Sequence, residues 1–215
     1  MHYLALIGDI VDSKQLRQRG EFQTKLTACL KSVGNRNATL VSPYTITLGD
    51  EFQAVYKNAD RLWLDLFSIM RDIHPVEARF AIGVGPLSTE VNRKQALGMD
   101  GPAFHRARAG INELKETGHL IRLQGEPVDE KAGLNPWNVF NRVLNLLSHR
   151  IASWEENRFR ILCGLLAGQA VGDIGEELAI SKVAVYKNIN AAALDEIQAL
   201  CQEMTRFLNR ELKNP

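Results

Sequence analysis

An α+β fold is expected of this chain, a sheet with helices mostly on one of its faces, followed by an all-helical unit. Three observations lead there. Short apolar runs with strand-like alternation occur at Tyr3 to Gly8, at Thr45 to Tyr56 on either side of Gly49-Asp50-Glu51, at Glu77 to Gly85 and at His119 to Leu123. Between them lie stretches whose apolar residues recur at helical spacing, so the expected order is strand, helix, hairpin, helix, strand, helix, strand. Past Gly125 no further strand pattern is found and apolar stripes stepping by three and four take over. The expected division is a sheet unit over residues 1–125, a linker and amphipathic helix over 126–156, and a helical unit over 157–215.

The opening strand runs into Asp9, and Asp12 or Ser13 can cap a helix reaching about Val33, with Leu16, Phe22, Leu26, Cys29 and Leu30 on its apolar face. Gly34-Asn35-Arg36-Asn37 ends that helix, and the hairpin follows. Asn58 or Asp60 can cap a second helix, Leu62 to Ile73, which His74-Pro75 stops. The next strand closes on Gly83, Gly85 and Pro86, and a third helix over Gly101 to Glu116 starts at Asp100 and Pro102. Gly133-Leu134-Asn135-Pro136 marks the linker, with Pro136 opening a long helix striped by Trp137, Phe140, Leu144, Leu147, Ile151 and Trp154. A matching stripe, Leu194, Ile197, Cys201, Met204, Leu208 and Leu212, closes the chain, and the two are expected to pack on each other or on the body of the protein.

With 215 residues, 45% hydrophobic and 24% charged, the chain has the composition of an ordinary globular protein with room for a sizeable core. Its net charge of +1 gives no global attraction to nucleic acid, so any such contact has to come from a local patch. Cys29, Cys163 and Cys201 are far apart among apolar neighbours, which reads as three buried thiols in a reducing compartment. The start has no signal-peptide pattern and no apolar run approaches a membrane span, so the expected location is the cytoplasm, with no membrane partner.

Two segments carry chemistry. Asp9 ends the first strand and Asp50 stands at the hairpin tip, so if strand and hairpin lie side by side the two carboxylates can share one sheet end and hold Mg²⁺ or Mn²⁺. The other reading of Gly49-Asp50-Glu51 is plain turn chemistry, since Asp bonds its own backbone in tight turns. Further on, Ile174, Leu178, Ile180, Val185 and Ile189 have the spacing of a helix-turn-helix, with Ser181 capping its second helix. Lys182, Val183, Tyr186, Lys187 and Asn190 then face outward, where Lys182 and Lys187 could touch phosphates and Asn190 a base edge. A protein-docking role for the same three-helix unit stays open.

Four segments, Ile7-Gly8-Asp9-Ile10-Val11-Asp12-Ser13, Leu48-Gly49-Asp50-Glu51-Phe52-Gln53-Ala54-Val55, Arg79 to Gly85 and Gly101 to Arg108, resemble in order and spacing the motifs of class III nucleotide cyclases. The hairpin is also similar to the GGDEF signature of diguanylate cyclases, and the whole chain is most similar to the SatD family of small bacterial proteins. The resemblance implies a ferredoxin-like cyclase palm. It makes Asp9 and Asp50 the metal carboxylates with the Ile10 carbonyl beside them, Gly49 and Glu51 nucleotide-binding positions, and Arg108, with Arg106 as second choice, the catalytic arginine that steadies phosphate charge. It implies a nucleoside triphosphate as ligand and a homodimer.

The resemblance also has gaps. The purine-reading Lys of adenylyl cyclases falls on Ile46, the transition-state Asn on Phe104, the other base-reading position near Leu97, and the first Gly of the diguanylate signature on Leu48. Two functions are therefore carried forward: a Mg²⁺-dependent nucleotide-binding, cyclase-like palm joined to a helix-turn-helix, and a non-catalytic DNA-binding regulator whose palm senses a nucleotide or only dimerises.

Overall fold

The computed structural model describes residues 1–47, 49–126 and 135–213; Leu48 and the linker positions Pro127, Gly133 and Leu134 lie outside the described residues. Five strands, β1 (His2–Ile10), β2 (Leu40–Ile46), β3 (Glu51–Tyr56), β4 (Ala78–Pro86) and β5 (Ile121–Gln124), form one sheet in the order β2-β3-β1-β4-β5. All neighbours are antiparallel except β4 and β5. The helices are α1 (Arg19–Asn35), α2 (Leu62–Ile73), α3 (Pro102–Thr117), α4 (Pro136–Ile151), α5 (Glu156–Leu166), α6 (Val171–Glu177), α7 (Lys182–Ala192) and α8 (Leu194–Glu211).

Strand parity divides the core in two. Leu4, Leu6, Phe52, Ala54, Tyr56, Phe80 and Ile82 point to one face, where α1, α2 and the C-terminal helices join them in one continuous apolar cluster. Ala5, Ile7, Val55 and Ala81 point to the other, where α3 brings Ala103, Phe104, Ala107, Ile111 and Leu114. The expectation of helices on one face is therefore corrected for α3, which covers the second face. Small residues permit it. A Cβ on Gly83 would strike the backbone of Ala103 and Ala107, and one on Gly110 would come within 2.9 Å of the Ala81 methyl, so helix and strand lie closer than larger side chains allow.

The helix starts also differ from expectation. Asp12 sits in the left-handed region at φ 50° and makes no capping bond; a 3₁₀ turn at Ser13–Gln15 and an extended Leu16 delay α1 to Arg19. Asn58 accepts from the Asp60 amide in a turn, and α2 begins without a side-chain cap. At α3 the cap position belongs to Gly101, while the Asp100 carboxylate pairs with His105 Nε2 at 2.7 Å. The three cysteines are buried, and burial pushes the Cys29 thiol up to about 12 and Cys163 to about 11.

The helical part is bonded to the sheet. β5 is an edge strand, a position that leaves backbone groups unpaired. Asn141 of α4 serves as a substitute strand there, accepting from Leu123 N at 2.9 Å and donating to Leu123 O at 2.8 Å, and Ser148 Oγ accepts from Leu120 N at 3.0 Å. The apolar stripes of α4 and α8 meet as Phe207 packs on Trp137 and Phe140, with ring centroids 4.7 and 5.2 Å apart. Asn209 of α8 reaches the start of α2, accepting from Ala59 N at 2.8 Å and donating to Asp60 at 2.7 Å.

Asn141→Ala strands a buried amide and carbonyl of Leu123 and is expected to cost about 2–4 kcal/mol. Urea unfolding should show a lower midpoint for it, while Asn138→Ala on the exposed side of the same helix stays within about 0.5 kcal/mol of the parent.

Candidate charged site at the sheet end

Cross-strand register builds the site. Asp9 stands opposite Glu51 on β3 and opposite Arg79 on β4, so all three side chains emerge on the α3 face at the same end of the sheet. Asp9 and Glu51 are 6% and 5% exposed. Buried carboxylates require partners, and both have them. Arg79 Nη1 reaches Asp9 Oδ2 at 3.2 Å and Lys115 Nζ reaches Asp9 Oδ1 at 2.8 Å. Arg108 grips Glu51 with both guanidinium nitrogens, Nη2 lying 2.7 Å from Oε1 and Nη1 on Oε2, and Thr47 Oγ1 adds a bond at 3.2 Å. Burial by itself would raise the Glu51 pKa; the hydrogen bond and charge of Arg108 outweigh it and hold the carboxyl below its ordinary value. The same pairing raises the pKa of Arg108.

Asp50 belongs to the same sheet end by its backbone. Its carbonyl accepts from Ile10 N at 3.0 Å, which ties the hairpin tip to the end of β1, and its carboxylate accepts from the Ser13 hydroxyl. Ile10 turns its side chain into the opposite core, so only its backbone can serve a ligand. Gly49 has φ 71°, and Gln23 Nε2 donates to its carbonyl at 3.1 Å. Arg19 lies close by, its Nη2 3.4 Å from where a Gly49 Cβ would be. Arg106 is carried elsewhere: it donates to Val84 O near the far end of β4 and to Glu126 at 3.0 Å. Two further residues that belong to the cluster, Arg79 and Lys115, are not singled out by the sequence motifs. The clues were parity along β4 and a seven-residue step, two helical turns, from Arg108 to Lys115. A cavity of about 650 Å³ between α1 and β2 is lined by none of these charges.

In the helical part, α6 and α7 are joined by a short turn in which Ala179 takes φ 52°, the left-handed position where Gly is usual. Gly175 is needed in turn, because a Cβ there would meet Ile180 O at 2.9 Å. Ser181 caps α7 by accepting from Ala184 N at 3.2 Å. Ile174, Val185 and Ile189 are buried, whereas Lys182, Val183, Tyr186, Lys187 and Asn190 are all exposed.

The model of the SatD family matches residues 3–199, which takes in the sheet, the charged cluster and the helical part down to α8. The chain belongs to the SatD family. No curated protein matches this SatD chain. Among solved structures, a bacterial light-regulated adenylyl cyclase is similar at 16% identity and a TM-score of 0.38, over 57% of this chain and 43% of that one. No described helix is long and apolar enough to cross a membrane.

Chemically, the cluster sets two buried acids against three cations, of which Arg108 and Lys115 are 44% and 46% exposed and can reach outward to an anion. Among the described residues no three His, Cys, Asp or Glu side chains assemble into a metal cage. A divalent ion at Asp9 fits only where it displaces the Lys115 ammonium, whose flexible stem can swing into solvent. Mg²⁺ suits such a sparse donor set, since it keeps much of its water and commonly binds one or two carboxylates.

Because the Glu51 pKa is depressed on folding, its contribution is present at neutral pH and is lost as pH falls through the folded value, below 4.5. Glu51→Gln is expected to be about 1–3 kcal/mol less stable than the parent at pH 7, with the gap closing as pH falls below the ordinary carboxylate range. Denaturation measured across that range checks it, and a gap independent of pH would refute the pairing as the cause.

Proposed function

We propose that this sheet end binds a nucleoside triphosphate together with Mg²⁺ or Mn²⁺. The observation that supports it is the gathering of Asp9, Glu51, Arg79, Arg108 and Lys115 from β1, β3, β4 and α3 at one place, with Asp50 tied to the same sheet end through its carbonyl and its carboxylate bonded separately to Ser13. Asp9 and Asp50 would hold the ion, which would draw phosphate oxygens in and neutralise their charge. Arg108 and Lys115 would take the remaining phosphate charge, Arg108 by loosening its grip on Glu51, and Gly49 would let the ligand approach the backbone. Cyclase-like turnover, in a homodimer whose subunits complete each other's site, is the stronger form of the same reading.

A triphosphate at a hundred times its dissociation constant adds about 2.7 kcal/mol, which for a chain of this size raises Tm by about 5–10 °C. Thermal shift with the four triphosphates, with and without Mg²⁺, is expected to show this for at least one of them, to need the metal, and to be lost in Asp50→Asn. No shift with any triphosphate would end the nucleotide reading. Labelled nucleotide turned over by the parent chain and spared by Asp50→Asn would separate an enzyme from a sensor.

A second reading concerns α7. Val183 and Tyr186 are 64% and 53% exposed and share their face with Lys182, Lys187 and Asn190. We propose that this face binds DNA, Lys182 and Lys187 on phosphates and Tyr186 and Asn190 toward bases. Fluorescence anisotropy should then show salt-sensitive DNA binding, weakened across all sequences by Lys187→Ala with the salt slope reduced by about 1. Equal binding by that variant would exclude the face.

A further inference from the structure

A second charged cleft lies away from the sheet end, where α1 and α2 meet α5 and α6. It has two adjoining lobes of about 570 and 240 Å³ that share the lining residues Ser32, Arg36, Arg71, Asp72, Arg160 and Glu177. Along α1 the lining residues Lys25, Cys29, Ser32 and Arg36 recur at helical steps, and along α2 Arg61, Asp65, Ser68 and Arg71 do the same. From Arg61 to Arg71 the floor is about 15 Å long at the helical rise per residue.

Four guanidinium groups and Lys25 line this space together with four carboxylates, Asp65, Asp72, Glu156 and Glu177. Arg36 comes from the end of α1, Arg61 and Arg71 from the two ends of α2, and Arg160 from α5. Their partners do not use them fully. Arg71 is held by Asp72 at 2.7 Å, but Arg160 lies 3.4 Å from Glu156 and Arg61 only within 3.9 Å of Asp65. Arg61 Nε is buried and has no hydrogen-bond partner, and such a donor is costly to leave unmade. Asn37 and the Tyr56 hydroxyl both bond Asp65 Oδ2, while Oδ1, the oxygen nearest Arg61 Nε, lies 3.9 Å away, beyond hydrogen-bond reach. Arg36 and Lys25 enter no ion pair among the described residues. Forked donors on three helices around an elongated space suit an elongated anion with several oxygens.

We propose that this cleft is a metal-independent site for a polyphosphate group, free or carried by a small molecule, separate from the sheet end. The two sites lie toward opposite ends of α1, with Arg19 near the first and Arg36 in the second, about 25 Å apart along the helix axis. Because its guanidinium groups come from α1, α2 and α5, an anion seated there would join the sheet part to α5.

The test is calorimetric titration of the full chain with inorganic pyrophosphate and tripolyphosphate in the absence of divalent metal. The parent chain is expected to bind, and Arg36→Ala with Arg160→Ala, both exposed and tolerant of truncation, to bind at least tenfold more weakly with an unchanged circular dichroism spectrum. Arg93→Ala with Lys94→Ala, elsewhere on the surface, should leave the affinity within twofold. The proposal is overturned where the parent chain binds neither anion, or where the surface variant loses as much as the cleft variant. Failure of the triphosphate reading leaves this test intact, since neither metal nor Asp50 enters it.

Discussion

Everything at the sheet end depends on strand register. In an antiparallel pair, residues directly opposite share a face, so once Leu4, Leu6, Phe52 and Phe80 are committed to the large core, Asp9, Glu51 and Arg79 are committed to the other side. A slip by one residue would turn charges into the large apolar core and press its bulky side chains against the closely packed α3 face. The charged cluster is therefore held by the burial of the apolar core, a far larger free energy than its own ion pairs. Those pairs in turn spare the two acids the cost of being buried without counter-charge.

Close packing of α3 determines what those charges can meet. Gly83, Gly85 and Ala81 leave a flat strip on β4, and Ala103, Ala107 and Gly110 settle into it, which brings Arg108 and Lys115 within reach of Glu51 and Asp9. The same packing sends Arg106, only two residues before Arg108, along the strand toward Val84, because successive helical residues point about 100° apart. Between two neighbouring arginines, helix phase decides which one serves the acids.

The strands, the helices and the acid-rich hairpin were legible in the sequence because each repeats a period of two or of about three and a half over many residues. Local starts were less so. Asp12 has the chemistry of a cap, but the backbone there turns left-handed and the helix waits until Arg19, a choice made by the bond from Ser13 to Asp50 across the chain. The face taken by α3 was missed for a similar reason: glycines on a strand announce close approach without saying which side is approached. Arg79 and Lys115 were hidden because their importance comes only from tertiary placement, Arg79 by strand register opposite Asp9 and Lys115 by the packing of α3 over it. At α7 the outward set could be read because burial of Val185 and Ile189 leaves no other orientation, even with Ala179 in place of the customary glycine.

The sheet and the helical part also share one core. Trp137, Leu144 and Phe159 stand in the same apolar cluster as Leu4 and Phe80, and Asn141 and Asn209 pair with backbone of β5 and of the turn before α2. Two units joined only by a flexible tether would respond to ligands independently; two that bury apolar surface against each other and lend each other hydrogen-bond partners do not. A change in how α2 packs is thus felt at α5, on which α6 and α7 rest.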